Sequence, residues 1–129
     1  MKRILADTNA YAAFKKNEAA AVAAFRSVEY IGINIIVLGE LFSGFKGGSK
    51  EAQNRRELEQ FLASPRVDVV LQDEETAEFY AKIYWDLKKK GKPVPTNDIW
   101  VAASAMRHGL SLFTYDDHFN IISGLILYR

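Results

Sequence analysis

Four acidic residues stand where an α/β chain places its chemistry. Asp7 follows the apolar run Ile4-Leu5-Ala6, and Asp116 comes just after the run 110–113. Asp98 opens a helix behind the rigid segment Pro93-Val94-Pro95, and Glu40 is the only charged residue between Tyr30 and Phe45. In an open parallel sheet the carboxyl ends of the strands face a common crevice, so all four acids can converge there. Carboxylates about 4 Å apart repel by roughly 4 kcal/mol per pair at intermediate dielectric. Such a cluster needs protons or cations. Oxygen-only donor sets suit Mg²⁺ or Mn²⁺, which keep several waters and favour phosphate substrates. The chemistry these residues predict is metal-assisted phosphodiester hydrolysis. Each acid also has a structural role open to it. Asp7 (or Thr8) can cap the next helix, Asp98 can cap its own, Asp116 can hold a turn, and Glu40 can pair with a lysine.

Strands and helices must alternate to bring these positions together. Apolar runs bounded by turn residues predict strands at 4–6, 31–35, 67–71 and 110–113, with a last one at 125–128 after Gly124. Helical spacing predicts helices at 10–14 and 18–28, with Asn17 as the cap between them. Further helices are predicted from 36 to about Gly47, and at 50–62, 73–90 and 99–107. The long helix from 73 ends in Lys88-Lys89-Lys90-Gly91-Lys92, which suits a helix C-terminus and is read as a solvated helix end ahead of an RNA contact. The pattern predicts an α/β fold in which a parallel sheet of about five strands carries helices on both faces.

Composition excludes several other classes. The chain has 129 residues, suited to one domain, and its 49% hydrophobic and 26% charged content is that of a globular protein. Cysteine is absent, which removes thiolate nucleophiles and Cys-ligated zinc, and only His108 and His118 remain for histidine chemistry. A net charge of +1 and a pI near 7.9 give no broad basic footprint. No apolar run approaches a membrane span and no secretory signal is visible, so a cytoplasmic protein is expected.

Four segments in order, Leu5-Ala6-Asp7-Thr8-Asn9, Leu38-Gly39-Glu40-Leu41, Thr96-Asn97-Asp98-Ile99-Trp100-Val101-Ala102-Ala103 and Thr114-Tyr115-Asp116-Asp117-His118-Phe119, resemble the PIN-domain ribonucleases. Within that family they are most similar to the VapC-type toxins of bacterial and archaeal toxin–antitoxin pairs. The resemblance covers essentially the whole chain and implies a PIN-like three-layer fold, with 1–129 as a single nuclease domain. It also implies endonuclease activity on RNA and an Mg²⁺ or Mn²⁺ site. By position, Asp7, Glu40 and Asp98 are the core acids, Asp116 is the fourth, and Asn9 and Thr114 are polar supports. A small antitoxin covering the acidic groove and a homodimer are implied as well, with Tyr11, Phe42 and Phe45 as candidate exposed contacts. Two positions depart from the pattern. Val37 stands where many relatives have threonine, and Asn34 where they often have serine, both on the approach to Glu40.

Of the adjacent acids, Asp116 shares a face with Thr114 while Asp117 points away, to solvent or to a helix cap. Three other functions share parts of this pattern. A receiver-type signalling domain needs an acid pair after the first strand and an Asp after the third, where this chain has Asp7 alone and Gln72. A catalytically inactive PIN-like binding module is the second. Metal-free RNA cleavage by His108 and His118 is the third, and nothing in the sequence places those two together.

Overall fold

The computed structural model of the protein describes residues 2–129. In chain order the elements are β1 (Arg3–Ala6), α1 (Thr8–Lys15), α2 (Ala19–Ser27), β2 (Tyr30–Asn34), α3 (Ile35–Gly47) and α4 (Glu51–Leu62). They continue with β3 (Val67–Val70), α5 (Glu74–Lys90), α6 (Thr96–Arg107), β4 (Ser111–Phe113) and a 3₁₀ turn, Asp117–Ile121. The four strands form one parallel sheet in the order β3-β2-β1-β4. Ile4, Leu5 and Ala6 in β1 are fully buried, as a central parallel strand covered on both faces requires. Gly32 lies opposite Leu5, and a β-carbon there would meet side-chain atoms of Val70 and Leu5 at 3.0 and 3.1 Å.

The sheet has four strands, not about five. Segment 125–128 makes only one bridge, Leu112 to Leu127, with Leu112 donating to the Ile126 carbonyl and Tyr128 to the Leu112 carbonyl. With β4 itself three residues long, there is room for one pair of bonds and no ladder.

Two helical layers cover the sheet. Tyr11, Phe14, Phe25 and Phe61 pack ring against ring, joining α1, α2 and α4, and Phe25 reaches Phe113 of β4. Tyr11 is therefore core and not an exposed contact residue, whereas Phe42 and Phe45 are half-buried. α5 lies on α6, with Tyr80 stacked on Trp100 at 4.2 Å. The Asp73 carboxylate caps α5 by accepting from the Thr76 N–H and hydroxyl, and left-handed Gly91 ends it. Asn17 is left-handed at φ 63°, so it closes α1 and does not cap α2, whose cap position is Glu18.

Candidate active site and metal centre

The strand order sets where the site lies. The chain runs outward from β1 through β2 to β3 and then returns to the other side of β1 as β4, so the direction reverses between β1 and β4. Crevices at such a reversal, at the carboxyl ends of the strands, are where open α/β sheets hold ligands. Asp7 and Thr114 follow those two ends, and the Asp7 N–H donates to the Phe113 carbonyl at 2.9 Å.

Asp7 is 5% exposed and does two jobs. It caps α1, with Oδ1 accepting from the Thr8 N–H at 2.9 Å, while Oδ2 accepts from the Thr114 hydroxyl at 2.7 Å. The structural role and a place in the acid cluster are thus compatible. Burial raises the Asp7 pKa above its usual value, the bonds from Thr114 and Thr8 pull it back, and Glu40 and Asp116 add repulsion. Thr114 also accepts from the Asp116 N–H at 3.0 Å and the Asn9 amide at 3.4 Å, and the Asn9 carbonyl oxygen accepts from the Tyr115 N–H. Asn9 and Thr114 therefore tie the end of β4 to the start of α1.

Glu40 reaches the cluster from α3. Asn34 starts that helix by accepting from the Ile36 N–H at 2.8 Å, and buried Val37 and Leu41 turn the flank bearing Glu40 toward the strand ends. The Thr8 hydroxyl donates to Glu40 Oε1 at 2.5 Å. Beside it lies an open hollow lined by Ile36, Gly39, Glu40, Ser43 and Asn97.

Asp98 sits in the first turn of α6, which begins at Thr96 with Pro95 at the cap position, so its carboxylate does not cap the helix. Its pKa is pushed up to about 6, first by burial and then by Asp7, Asp116 and Glu40, against the opposing effect of His118. Among the described residues, carboxylate oxygens of Asp98 and Asp116 lie within 4.8 Å of each other and of a ring nitrogen of His118, while Asp7 and Glu40 act on Asp98 through their charge. Asp116, not Asp117, caps the 3₁₀ turn, accepting from the His118 N–H at 3.2 Å, and Asp117 is exposed.

Two residues escaped the sequence reading. Thr8 figured there only as a cap, yet its side chain holds Glu40. His118 was considered as a partner of His108 and not of the acids, yet its Nε2 lies 2.9 Å from Asp98 Oδ2 and 2.6 Å from Asp116 Oδ2. The Asp-x-His spacing in a turn was the available signal. His108 caps the far end of α6, about 15 Å from Asp98 at 1.5 Å per residue, so the two histidines form no catalytic pair.

A parallel sheet with carboxylates gathered at its switch point defines an acid-cluster α/β domain. The PIN-domain signature matches residues 4–125, and the chain belongs to the PIN-domain family. Among its relatives is Ribonuclease VapC4 of Mycobacterium tuberculosis, 31% identical over 88 residues, 68% of this chain and 68% of that protein. Another is Ribonuclease VapC1 of Haemophilus influenzae, 32% identical over 84 residues, 65% of this chain and 61% of that protein. Of solved structures, VapBC2 from Rickettsia felis bound to a promoter DNA fragment superposes with a TM-score of 0.88 at 26% identity, covering 97% of this chain and 96% of that one. DNA-bound VapBC from Salmonella typhimurium gives 0.86 at 26%, covering 99% and 98%.

Proposed function

We propose that the chain is an Mg²⁺- or Mn²⁺-dependent endoribonuclease, the toxin of a toxin–antitoxin pair, with Asp7, Glu40, Asp98 and Asp116 as its catalytic acids. The observation that supports this is a chain of contacts at the strand ends: Glu40 to the Thr8 hydroxyl, Asp7 to the Thr8 N–H and the Thr114 hydroxyl, Thr114 to the Asp116 N–H, and Asp116 beside Asp98 across His118. Groups crowded in this way favour a cation over one another. Hard oxygen donors in a partly dry crevice fit Mg²⁺ or Mn²⁺.

When bound, the ion supplies charge to polarise the scissile phosphodiester and to lower the pKa of the attacking water. The chain's own groups hold and aim the acids. The Thr114 hydroxyl fixes one Asp7 oxygen, the Thr8 hydroxyl fixes Glu40, and Asn9 locks the strand end that carries Asp116. The hollow beside Glu40 and Asn97 opens next to the cluster and gives an RNA strand room to approach.

The names of the relatives support ribonuclease activity, and the VapBC complexes among similar structures support a small antitoxin partner. Exposed Ile35, Val69, Leu71 and Trp85 leave apolar surface for that partner or for a second copy in a homodimer. Among the described residues no helix is long and apolar enough to cross a membrane, in keeping with a cytoplasmic role.

The test is cleavage of single-stranded RNA by purified protein with Mg²⁺ or Mn²⁺, its loss in EDTA, and its loss in Asp98→Ala. Expression of the wild type alone should arrest bacterial growth, and Asp98→Ala should relieve the arrest. Undiminished cleavage in EDTA, with contaminating nucleases excluded, rules out the metal mechanism.

A further inference from the structure

We infer that His118 is a nitrogen ligand of the metal site, making the centre one of mixed nitrogen and oxygen donors that favours Mn²⁺ over Mg²⁺. This rests on the metal-dependent reading above and adds a donor to it.

The geometry begins with the backbone. Asp116 accepts from the His118 N–H through Oδ1, while its Oδ2 lies 2.6 Å from His118 Nε2. One carboxylate therefore fixes both the turn and the ring. Phe119, the next residue, is fully buried and anchors the turn from below. Its ring meets the imidazole edge-on at 5.9 Å, while the outer face of His118 is open to solvent. The ring is placed before any ligand arrives.

The second step is the donor set. His118 Nε2, one oxygen of Asp98 and one of Asp116 lie within 4.8 Å of one another, and the nitrogen is 2.6 and 2.9 Å from those oxygens. An octahedral ion with bonds of about 2.0 to 2.2 Å has neighbouring donors about 3 Å apart. The nitrogen and its two oxygen neighbours already stand near that spacing. At these distances Nε2 stands at ion-pair range of both carboxylates; an entering cation would displace its proton, and with the remaining ring proton on Nδ1 the same nitrogen is free to ligate the ion.

Selectivity follows from the donor type. Mg²⁺ binds oxygen and parts reluctantly with its waters, whereas imidazole suits the transition ions. The chain has only two histidines, and His108 caps the opposite end of α6. Any imidazole coupling to a bound metal must therefore come from His118.

The experiment uses the untagged full chain loaded with Mn²⁺, examined by pulsed electron paramagnetic resonance, with Mn²⁺ and Mg²⁺ affinities measured by calorimetry. ¹⁴N coupling is expected in the wild type and in His108→Gln, and should switch to the ¹⁵N pattern on ¹⁵N-histidine labelling. His118→Gln should lose the coupling and bind Mn²⁺ about 10- to 100-fold more weakly, with a smaller change for Mg²⁺. His118→Asn serves as a second variant, and circular dichroism checks that both are folded. Mn²⁺ binding by the wild type without nitrogen coupling overturns the ligand assignment and leaves the acid site standing. No Mn²⁺ binding at all overturns both.

Discussion

Asp116 and Asp117 are neighbours with the same chemistry and opposite surroundings. Asp116 is half-buried, faces Asp98 through His118 and bonds to the turn, whereas Asp117 is exposed. Asp116→Asn should cut RNA cleavage by about tenfold to a thousandfold, the range for losing a group that stabilises transition-state charge. Asp117→Asn should leave cleavage and melting temperature nearly unchanged, since a surface substitution away from caps and pairs shifts stability by roughly 0.5 kcal/mol or less. An RNA-cleavage assay over a Mn²⁺ titration compares the two, and an inactive Asp117→Asn beside a normal Asp116→Asn rejects this assignment. The strand-end alternation that separates Thr114 and Asp116 from Asp117 was legible in the sequence. What was not legible is the cap, because whether Asp116 or Asp117 accepts the turn's N–H depends on a backbone angle that residue types leave open. His118 was hidden for a different reason. Its meeting with Asp98 joins positions 20 residues apart, and only the tertiary fold creates it.

The element that aims Glu40 is α3, and its cap residue, the last of β2, is fixed from an unexpected side. Asn34 caps the helix through its oxygen, while its amide nitrogen lies 3.0 Å from Ser104 Oγ of α6 and 2.7 Å from Gln72 Oε1 beyond β3. The side chain is fully buried. The long amide thus pins the start of α3 to α6, the helix that bears Asp98. Asn34→Ala removes the cap, worth about 1 kcal/mol, and strands buried partners at about 1 to 3 kcal/mol. A destabilisation of roughly 2 to 4 kcal/mol by urea unfolding is the expected outcome. Asn34→Ser keeps a capping oxygen and should lose about half as much. If alanine costs no more than serine, the link to Ser104 and Gln72 contributes nothing. The sequence showed a strand running into a helix here, and it marked position 34 as a departure. It could not show the bond to Ser104, 70 residues away.

At the scale of the whole molecule, the chain stores like charge at one edge of a buried sheet, and stability should record it. The alternation of apolar runs and helical spacing sufficed to derive the parallel sheet, because a strand covered on both faces must be apolar throughout. The fifth strand failed as an expectation because an apolar run says nothing of how long its partner is, and β4 offers only three residues. The charge storage has a definite sign. Asp98 rises from an ordinary 3.8 to about 6 in the folded chain, and Asp7 is raised as well. Between about pH 4 and 6 the native state therefore binds more protons than the unfolded chain, so folding stability falls as pH rises through that window. The acids whose pKa values are lowered, among them Asp73, Glu51 and Glu57, act in the opposite direction below their ordinary values of 3.8 and 4.5. Metal-free protein should thus melt lower at pH 7.5 than at pH 5.5 on account of the cluster, and Asp98→Asn should flatten that slope. Mn²⁺ at one hundred times its dissociation constant adds about 2.7 kcal/mol if it binds only the folded chain. It should do so at pH 7.5 and much less at pH 5, where protons compete for the same oxygens. Thermal melts of wild type and Asp98→Asn at both pH values, with EDTA and with Mn²⁺, measure all of this. A wild-type slope that persists unchanged in Asp98→Asn would show that the stored repulsion lies elsewhere.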